Sequence, residues 1–251
     1  MKKPLEVVAQ FPCGQENEDA VIATLYSNGE MIVRGKGEIK NYPFKLPPWH
    51  SLRKKIKSII VMNGVTRIGS SSFIQLPKLA KVYFHDSVKE IGKYAFVDCP
   101  KLTKVVLPMH AEHENAFDDH VTVENAKPLK YFNHLEAKPQ YRVWGTLYSN
   151  GHLLIEGNGP MANYKARTNQ PWYWDAENIF FITIRNGVTT TGAYAFKGLY
   201  MLRSVEMEKV ITVGRHSFEA CKALVDLKMN LTAKRIGSNA FSNCPFLLEK
   251  S

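Results

Sequence analysis

Imidazoles and carboxylates crowd one stretch of the chain: His110, Glu112, His113 and Glu114, followed by Asp118, Asp119 and His120. Such groups can ligate Zn²⁺ or Ni²⁺. Their spacing matches no fixed ligand set, and the stretch has no counterpart elsewhere in the chain. A solvated polar insertion is the expected reading, and no metal is assigned. The cysteines, Cys13, Cys99, Cys221 and Cys244, contain no Cys-x-x-Cys pair, which leaves a structural zinc site without its usual spacing. Gly35-Lys36-Gly37 and Gly157-Asn158-Gly159 lack the Gly-Lys-Ser/Thr that completes a phosphate loop. No Gly-x-Ser-x-Gly elbow is present. No catalytic residue, cofactor or small-molecule substrate is therefore assigned, and a non-enzyme is expected.

The chain of 251 residues is 45% hydrophobic and 22% charged, the composition of a folded body. No apolar run approaches the ~18 residues of a membrane-spanning helix. The net charge of +10 is evenly spread: residues 1–139 hold 20 basic and 15 acidic side chains, residues 140–251 hold 13 and 8. Each half is thus +5. The densest basic run is Arg53-Lys54-Lys55-Ile56-Lys57. A basic protein attracts nucleic acid and anionic surfaces, but a solvated basic face is the expected reading. The start, Met1-Lys2-Lys3-Pro4, leads into no apolar segment of the kind a secretory signal needs. The expected location is extracellular or at the cell surface if a signal was removed upstream, and cytoplasmic otherwise.

The elements that position these residues come from a repeat within a repeat. Thr24-Leu25-Tyr26-Ser27-Asn28-Gly29 recurs letter for letter at Thr146-Leu147-Tyr148-Ser149-Asn150-Gly151. Pro48-Trp49 returns as Pro171-Trp172, and Asn63-Gly64-Val65-Thr66 as Asn186-Gly187-Val188-Thr189. Inside each half a shorter period marks Phe73, Phe96 and Phe117, then Phe196, Phe218 and Phe241. A glycine stands four residues before most of them: Gly69, Gly92, Gly192, Gly214 and Gly237. Three residues after Phe come Leu76, Cys99, Leu199, Cys221 and Cys244. Since cysteine alternates with leucine there, these thiols are expected to be small buried apolar groups. Cys13 is expected near the terminus and exposed.

A turn of about 22 residues cannot bury its own apolar side chains, and stacking turns makes a continuous core. The expected fold is a repeat solenoid, a leucine-rich-repeat-like right-handed superhelix with short parallel strands plus β-hairpin caps. The hairpins are read across Asn28-Gly29 and Asn150-Gly151, a strong turn signal between alternating runs. The expected division is residues 1–139 and 140–251, with 125–139 as the bridge. Phe73, Phe96, Phe196, Phe218 and Phe241 should be buried in ladders, and the glycines should supply a special dihedral or a close approach. Trp49 and Trp172 should cover the open end of each first turn. Tyr173 and Trp174 are additional in the second half. Core packing is the expected role of Trp174, with an exposed binding anchor as the alternative.

Ile91-Gly92-Lys93-Tyr94-Ala95-Phe96-Val97-Asp98-Cys99-Pro100-Lys101-Leu102 through Val105-Val106-Leu107-Pro108 resembles the BspA-like, or Treponema-type, leucine-rich repeat family. Ile236-Gly237-Ser238-Asn239-Ala240-Phe241 with Cys244-Pro245 repeats the match. The resemblance covers about residues 13–123 and 141–248. It implies a non-catalytic solenoid that binds macromolecules, used in bacterial surface or secreted proteins for adhesion to host proteins or cells. Glu112-His113-Glu114 departs from the Ile-Gly of the motif, so that turn is expected to be distorted.

Alternation within the short strands places Lys81, Tyr83, Lys104 and Val106 outward in the first half, and Ser204, Glu206, Asp226 and Lys228 in the second. Val82, Phe84, Val105, Leu107, Val205, Met207, Leu227 and Met229 should point inward. This outward face, with Trp174 as an alternative, is the expected contact for a protein or glycan partner. A nucleic-acid or anionic-surface binder and a purely structural spacer are the competing readings.

Overall fold

The computed structural model describes residues 5–42, 46–229 and 235–247. The basic start, Met1-Lys2-Lys3-Pro4, lies outside the described residues. The chain divides into two compact units, Met1–Lys127 and Pro128–Ser251. Each has its own hydrophobic core.

In the first unit, Val7–Pro12, Val21–Tyr26 and Glu30–Gly35 form an antiparallel cap. Ser58–Val61, Lys81–Phe84, Lys104–Leu107 and Thr122–Asn125 then add in parallel to the edge of Glu30–Gly35. A second parallel ladder runs through Gly37–Glu38, Val65–Ile68, Glu90–Ile91 and Glu112–His113. The second unit repeats the plan. Pro128–Phe132, Arg142–Tyr148 and His152–Pro160 form its cap, and Phe181–Ile184, Ser204–Met207 and Asp226–Met229 continue it in parallel. Among the described residues the helical elements are short 3₁₀ turns only.

The cap has three strands where the Asn-Gly signal indicates two. Pro128–Phe132 pairs with Arg142–Tyr148, so this part of the expected bridge is the cap's outer strand, and the compact units divide at Lys127/Pro128 rather than at 139/140. The same strand in the first unit, Val7–Pro12, leads directly into Cys13, which is fully buried and not exposed. Cys13 N–H donates to Val21 O at 2.8 Å, and Leu135 N–H donates to Val143 O at 2.9 Å. Cys13 therefore occupies the place that Leu135 fills in the second unit.

An aromatic spine runs through each core. Trp49, Phe73, Phe96 and Phe117 stack at centroid separations of 5.1, 5.3 and 5.3 Å. Trp172, Phe196, Phe218 and Phe241 stack at 5.0, 4.9 and 5.3 Å. Beneath the rings, each Phe N–H donates to the carbonyl before the next Phe: Phe73 to Ala95 and Phe96 to Ala116 at 2.8 Å, Phe196 to Ser217 at 2.7 Å, Phe218 to Ala240 at 2.8 Å. Tryptophan supplies both parts of a rung from one side chain. Its ring stacks on the first Phe, while Nε1–H donates to Ser72 O or Ala195 O at 2.9 Å. A phenylalanine there would leave that buried carbonyl without its donor. Phe241 departs from expectation: it is half-buried, as is Phe117, because each is the last ring of its stack and packs on one side only.

The thiols are more than apolar filler. Cys99, Cys221 and Cys244 donate to the carbonyls of Phe73, Phe196 and Phe218, each in the preceding turn, at 3.4, 3.3 and 3.2 Å. Leucine holds this position where the preceding rung is Trp, at Leu76 and Leu199. Desolvation pushes the Cys99 thiol up to about 12 and holds Cys221 well above the ordinary thiol range, so both stay protonated and can donate. All four cysteines are free.

The glycines before Phe have no left-handed dihedral and serve close approach. A Cβ on Gly192 would stand 1.6 Å from Ala162 O. The left-handed positions fall elsewhere, two residues before each Phe: Ser71, Tyr94, Asn115, Tyr194, His216 and Asn239, with φ from 49° to 61°. A second series follows two residues after: Gln75, Asp98, Gly198, Ala220 and Asn243. The turn with Glu112-His113-Glu114 is not distorted. Glu112 and His113 pair with Glu90 and Ile91, and Phe117 stacks on Phe96 at an interplanar angle of 5°. The irregularity lies after that ring. Thr122 pairs with Lys104, 18 positions on, where Ser58 pairs with Lys81 across 23. In the shortened loop Val121 N–H donates to Asp118 O at 3.0 Å, as Leu102 N–H does to Cys99 O one turn earlier, and His120 is left exposed.

Candidate functional site

Burial alternates cleanly in Lys81–Phe84 and Lys104–Leu107, whereas Phe181–Ile184 is buried at all four positions. Val82, Phe84, Val105, Leu107, Val205 and Met207 are buried, while Leu227 and Met229 in the edge strand Asp226–Met229 are half-buried. Parallel register aligns Ser58 with Lys81 and Ile60 with Tyr83 and then Val106. In the second unit it aligns Phe181, Ser204 and Asp226 in one row, and Thr183, Glu206 and Lys228 in the next.

The expected contact residues differ in what they offer. Lys81 is exposed and makes no ion pair among the described residues. Lys104 is exposed but donates to Glu124 Oε1 at 2.9 Å, a bond that holds the Glu124 carboxyl below its usual range. Lys228 pairs with Glu206 across the rung. Tyr83, Val106, Glu206 and Asp226 are half-buried. Ser204 is not available: it is 3% exposed, a short side chain in register beside Phe181, which is itself fully buried. Much of the face's charge is thus spent on pairs between neighbouring rungs, which are individually weak at a surface.

Trp174 is 83% exposed, so it does not pack in the core. It sits in a 3₁₀ turn, Tyr173–Asp175, directly after Trp172, whose burial in the spine leaves the following residues at the surface. Its ring meets Tyr173 edge-on at 4.8 Å. The Arg167 guanidinium lies 5.1 Å from the Tyr173 ring centre and 6.0 Å from that of Tyr200, which is 42% exposed. Sequence reasoning found Trp174 but neither Arg167 nor Tyr200, which are 33 positions apart and carry no motif.

The first unit has a different surface in the related place. An open groove of about 650 Å³ is lined by Arg53, Lys54, Gln75, Asp98, Asp118 and His120, with Pro77 and Pro100. Asp118 is occupied: its oxygens accept from the N–H groups of Asp98 and Cys99 at 3.2 and 3.1 Å. The His110–His120 stretch is dispersed along the turn. Glu114 pairs with Lys93 at 3.1 Å, and His113 lies edge-on to Phe117 at 5.9 Å. Among the described residues no three His, Cys, Asp or Glu side chains gather to hold a metal, and no helix is long and apolar enough to cross a membrane.

Stacked parallel turns, an aromatic spine and a three-stranded cap define a leucine-rich-repeat solenoid. The chain belongs to the family described as BspA type leucine rich repeat region, which matches in six copies over residues 50–136 and 171–250. Solved structures similar to it are bacterial. A leucine-rich repeat protein from Eubacterium ventriosum is 15% identical, with 95% of this chain and 83% of that one covered and a TM-score of 0.34. A leucine rich cell surface protein from Faecalibacterium prausnitzii is 17% identical, with 91% and 79% covered and a TM-score of 0.28. The T. pallidum leucine rich repeat protein is 15% identical, with 92% and 89% covered and a TM-score of 0.25. No curated protein matches the sequence.

Proposed function

We propose that this protein is a non-catalytic, surface-displayed binding module whose partner is another protein. One observation carries the reading: the two units keep the same internal rungs and change what stands outside them. Trp49 and Trp172, Phe73 and Phe196, and Phe96 and Phe218 are equivalent and buried. Tyr83 is replaced by Glu206, and His50 and Ser51 by Tyr173 and Trp174. A constant scaffold with variable side chains is how repeat proteins build recognition surfaces. Membership of a family of protein-interaction repeats supports a protein partner and a place outside the cell. The outward rows of the parallel strands are the proposed contact, with Lys81 and Lys104 in the first unit.

The test is equilibrium binding of proteins recovered on the immobilised full chain, measured again with Lys81→Glu and Lys104→Glu combined. Saturable binding that weakens about tenfold or more, with the thermal transition unchanged, supports the reading. Absence of any saturable protein partner, or binding indifferent to the double reversal, removes the strand face as the contact.

A further inference from the structure

Arg167 is a cation held in place without an anion. Its guanidinium lies over the Tyr173 ring at 5.1 Å and the Tyr200 ring at 6.0 Å. Its Nε is buried with no hydrogen-bond partner, and the side chain makes no ion pair among the described residues. The position is built. Gly198 leaves the room, since a Cβ there would stand 2.8 Å from Arg167 Cδ. Gln170 anchors the turn below: it is 4% exposed and donates through Nε2 to the carbonyls of Tyr194 and Lys197, while its Oε1 is buried and unpartnered. Trp174 stands beside this arrangement, 83% exposed and in edge contact with Tyr173.

We propose that Arg167, flanked by Tyr173, Tyr200 and Trp174, is a recognition site for a carboxylate side chain on a protein segment, with an apolar neighbour of that carboxylate resting on Trp174. The proposal rests on the binding-module reading and names a contact away from the strand face. A guanidinium resting against two rings is pre-organised for a planar, two-oxygen acceptor and loses less freedom on binding it. Two cations of the same unit are already committed: Lys130 is paired with Asp175 at 2.7 Å and Lys197 with Glu219 at 2.6 Å. A single stacked guanidinium suits a monoanion. A phosphate dianion or a nucleic-acid backbone calls for several. Trp, Tyr and Arg are also the residue types most enriched where protein interfaces concentrate their affinity. The first unit lacks the site, because His50, Ser51, Gln75 and Pro77 stand where Tyr173, Trp174, Gly198 and Tyr200 stand in the second.

The test uses the full chain labelled with fluorotryptophan, which reports on its four tryptophans. The Trp174 signal is assigned by its loss in Trp174→Phe. Acetyl-Leu-Glu-Leu-amide is titrated against acetyl-Leu-Gln-Leu-amide, inorganic phosphate and a thymidine oligonucleotide. The expected result is a saturable shift of the Trp174 signal with the glutamate peptide, about tenfold weaker with the glutamine peptide and in Arg167→Gln. Trp174→Ala, which alters an exposed side chain, should weaken the peptide to the same degree as read by calorimetry, with the thermal transition kept. Equal response to the two peptides, a larger response to phosphate or oligonucleotide, or no response overturns the proposal. Because it uses peptides and not the unknown partner, its failure leaves the strand-face binding test standing. A protein partner lost on reversing Lys81 and Lys104 but kept in Arg167→Gln would separate the two.

Discussion

The two units agree in their interiors and disagree along one edge, and the physical reason is the ladder. In both, Trp and three Phe rings stack within 4.9–5.3 Å, and the first indole N–H closes the carbonyl below at 2.9 Å. Even the flanking rings repeat: Phe11 and Tyr42 meet Trp49 edge-on, as Phe132 and Tyr164 meet Trp172. A ring inside the stack is packed above and below, so a change there disturbs two neighbours. A residue after Phe on the outer turn touches solvent and is free to differ. The polar groove beside Asp98 and Asp118 and the Arg167 aromatic cluster are two occupations of that edge.

The equivalence breaks most sharply if interior rings differ in worth between units. Phe96→Ala and Phe218→Ala each remove a fully buried ring with a stacked ring on both sides, and each should cost about 3–5 kcal/mol of unfolding free energy. Phe117→Ala and Phe241→Ala remove half-buried terminal rings and should cost markedly less. Denaturant unfolding of the four variants checks this. Equal costs at all four positions would mean that stack position carries no energy.

Trp49→Phe and Trp172→Phe keep a ring and delete a donor. The buried carbonyl of Ser72 or Ala195 then loses its indole partner, which costs on the order of 1–3 kcal/mol beyond the change in ring size. A stability loss no larger than the lost area would explain would show that the N–H contributes nothing.

Much of this was readable in the residues. The Phe period located the spine, the Asn-Gly pairs located both hairpins, and strand alternation found the inward residues of the central strands but placed buried Ser204 outward. What escaped has specific causes. The outer cap strand hid because Cys13 and Leu135 are unlike residues in one place. The left-handed positions hid because Ser, Tyr, Asn and His share them, and the nearby glycines invite the wrong assignment of strain. The role of tryptophan as a rung needs the distance from Nε1 to a carbonyl in another turn. Arg167 and Tyr200 meet only through folding.

The left-handed series sharpens the comparison at a smaller scale. Gly198 and Ala220 occupy the same place two residues after Phe, at φ of 73° and 60°. Alanine in that region carries a strain of roughly 1–2 kcal/mol, partly offset by the lower freedom of its unfolded chain. Ala220→Gly should therefore raise the thermal midpoint slightly. Gly198→Ala should lower it and also disturb Arg167, whose Cδ would stand 2.8 Å from the new methyl. Calorimetry on both variants reads the sign. A midpoint that falls in Ala220→Gly would deny that the position is strained.

The smallest expected difference follows from position 208. Glu208 stands where His85 stands in the first unit, just beyond the strand. Burial works to raise the Glu208 carboxyl, but bonds from Arg185 Nη1 at 2.7 Å and Asn186 N–H at 2.8 Å outweigh it and hold the group below its ordinary value. In the first unit His85 Nδ1 instead accepts from Ser87 N–H at 3.2 Å. A depressed carboxyl binds its proton more weakly folded than unfolded. Its contribution is present above the unfolded value and is lost as pH falls through the folded one. Arg185 is half exposed, at 52% of its side-chain area, so solvent screens the pair and the contribution stays within about 1 kcal/mol. Glu208→Gln should accordingly flatten the acid limb of the stability profile while changing stability near neutral pH only slightly. Unfolding curves collected from neutral pH down through the carboxylate range decide it. An acid limb unchanged by the substitution would show that the carboxylate titrates alike in the folded and unfolded chain, and that position 208 does not distinguish the units.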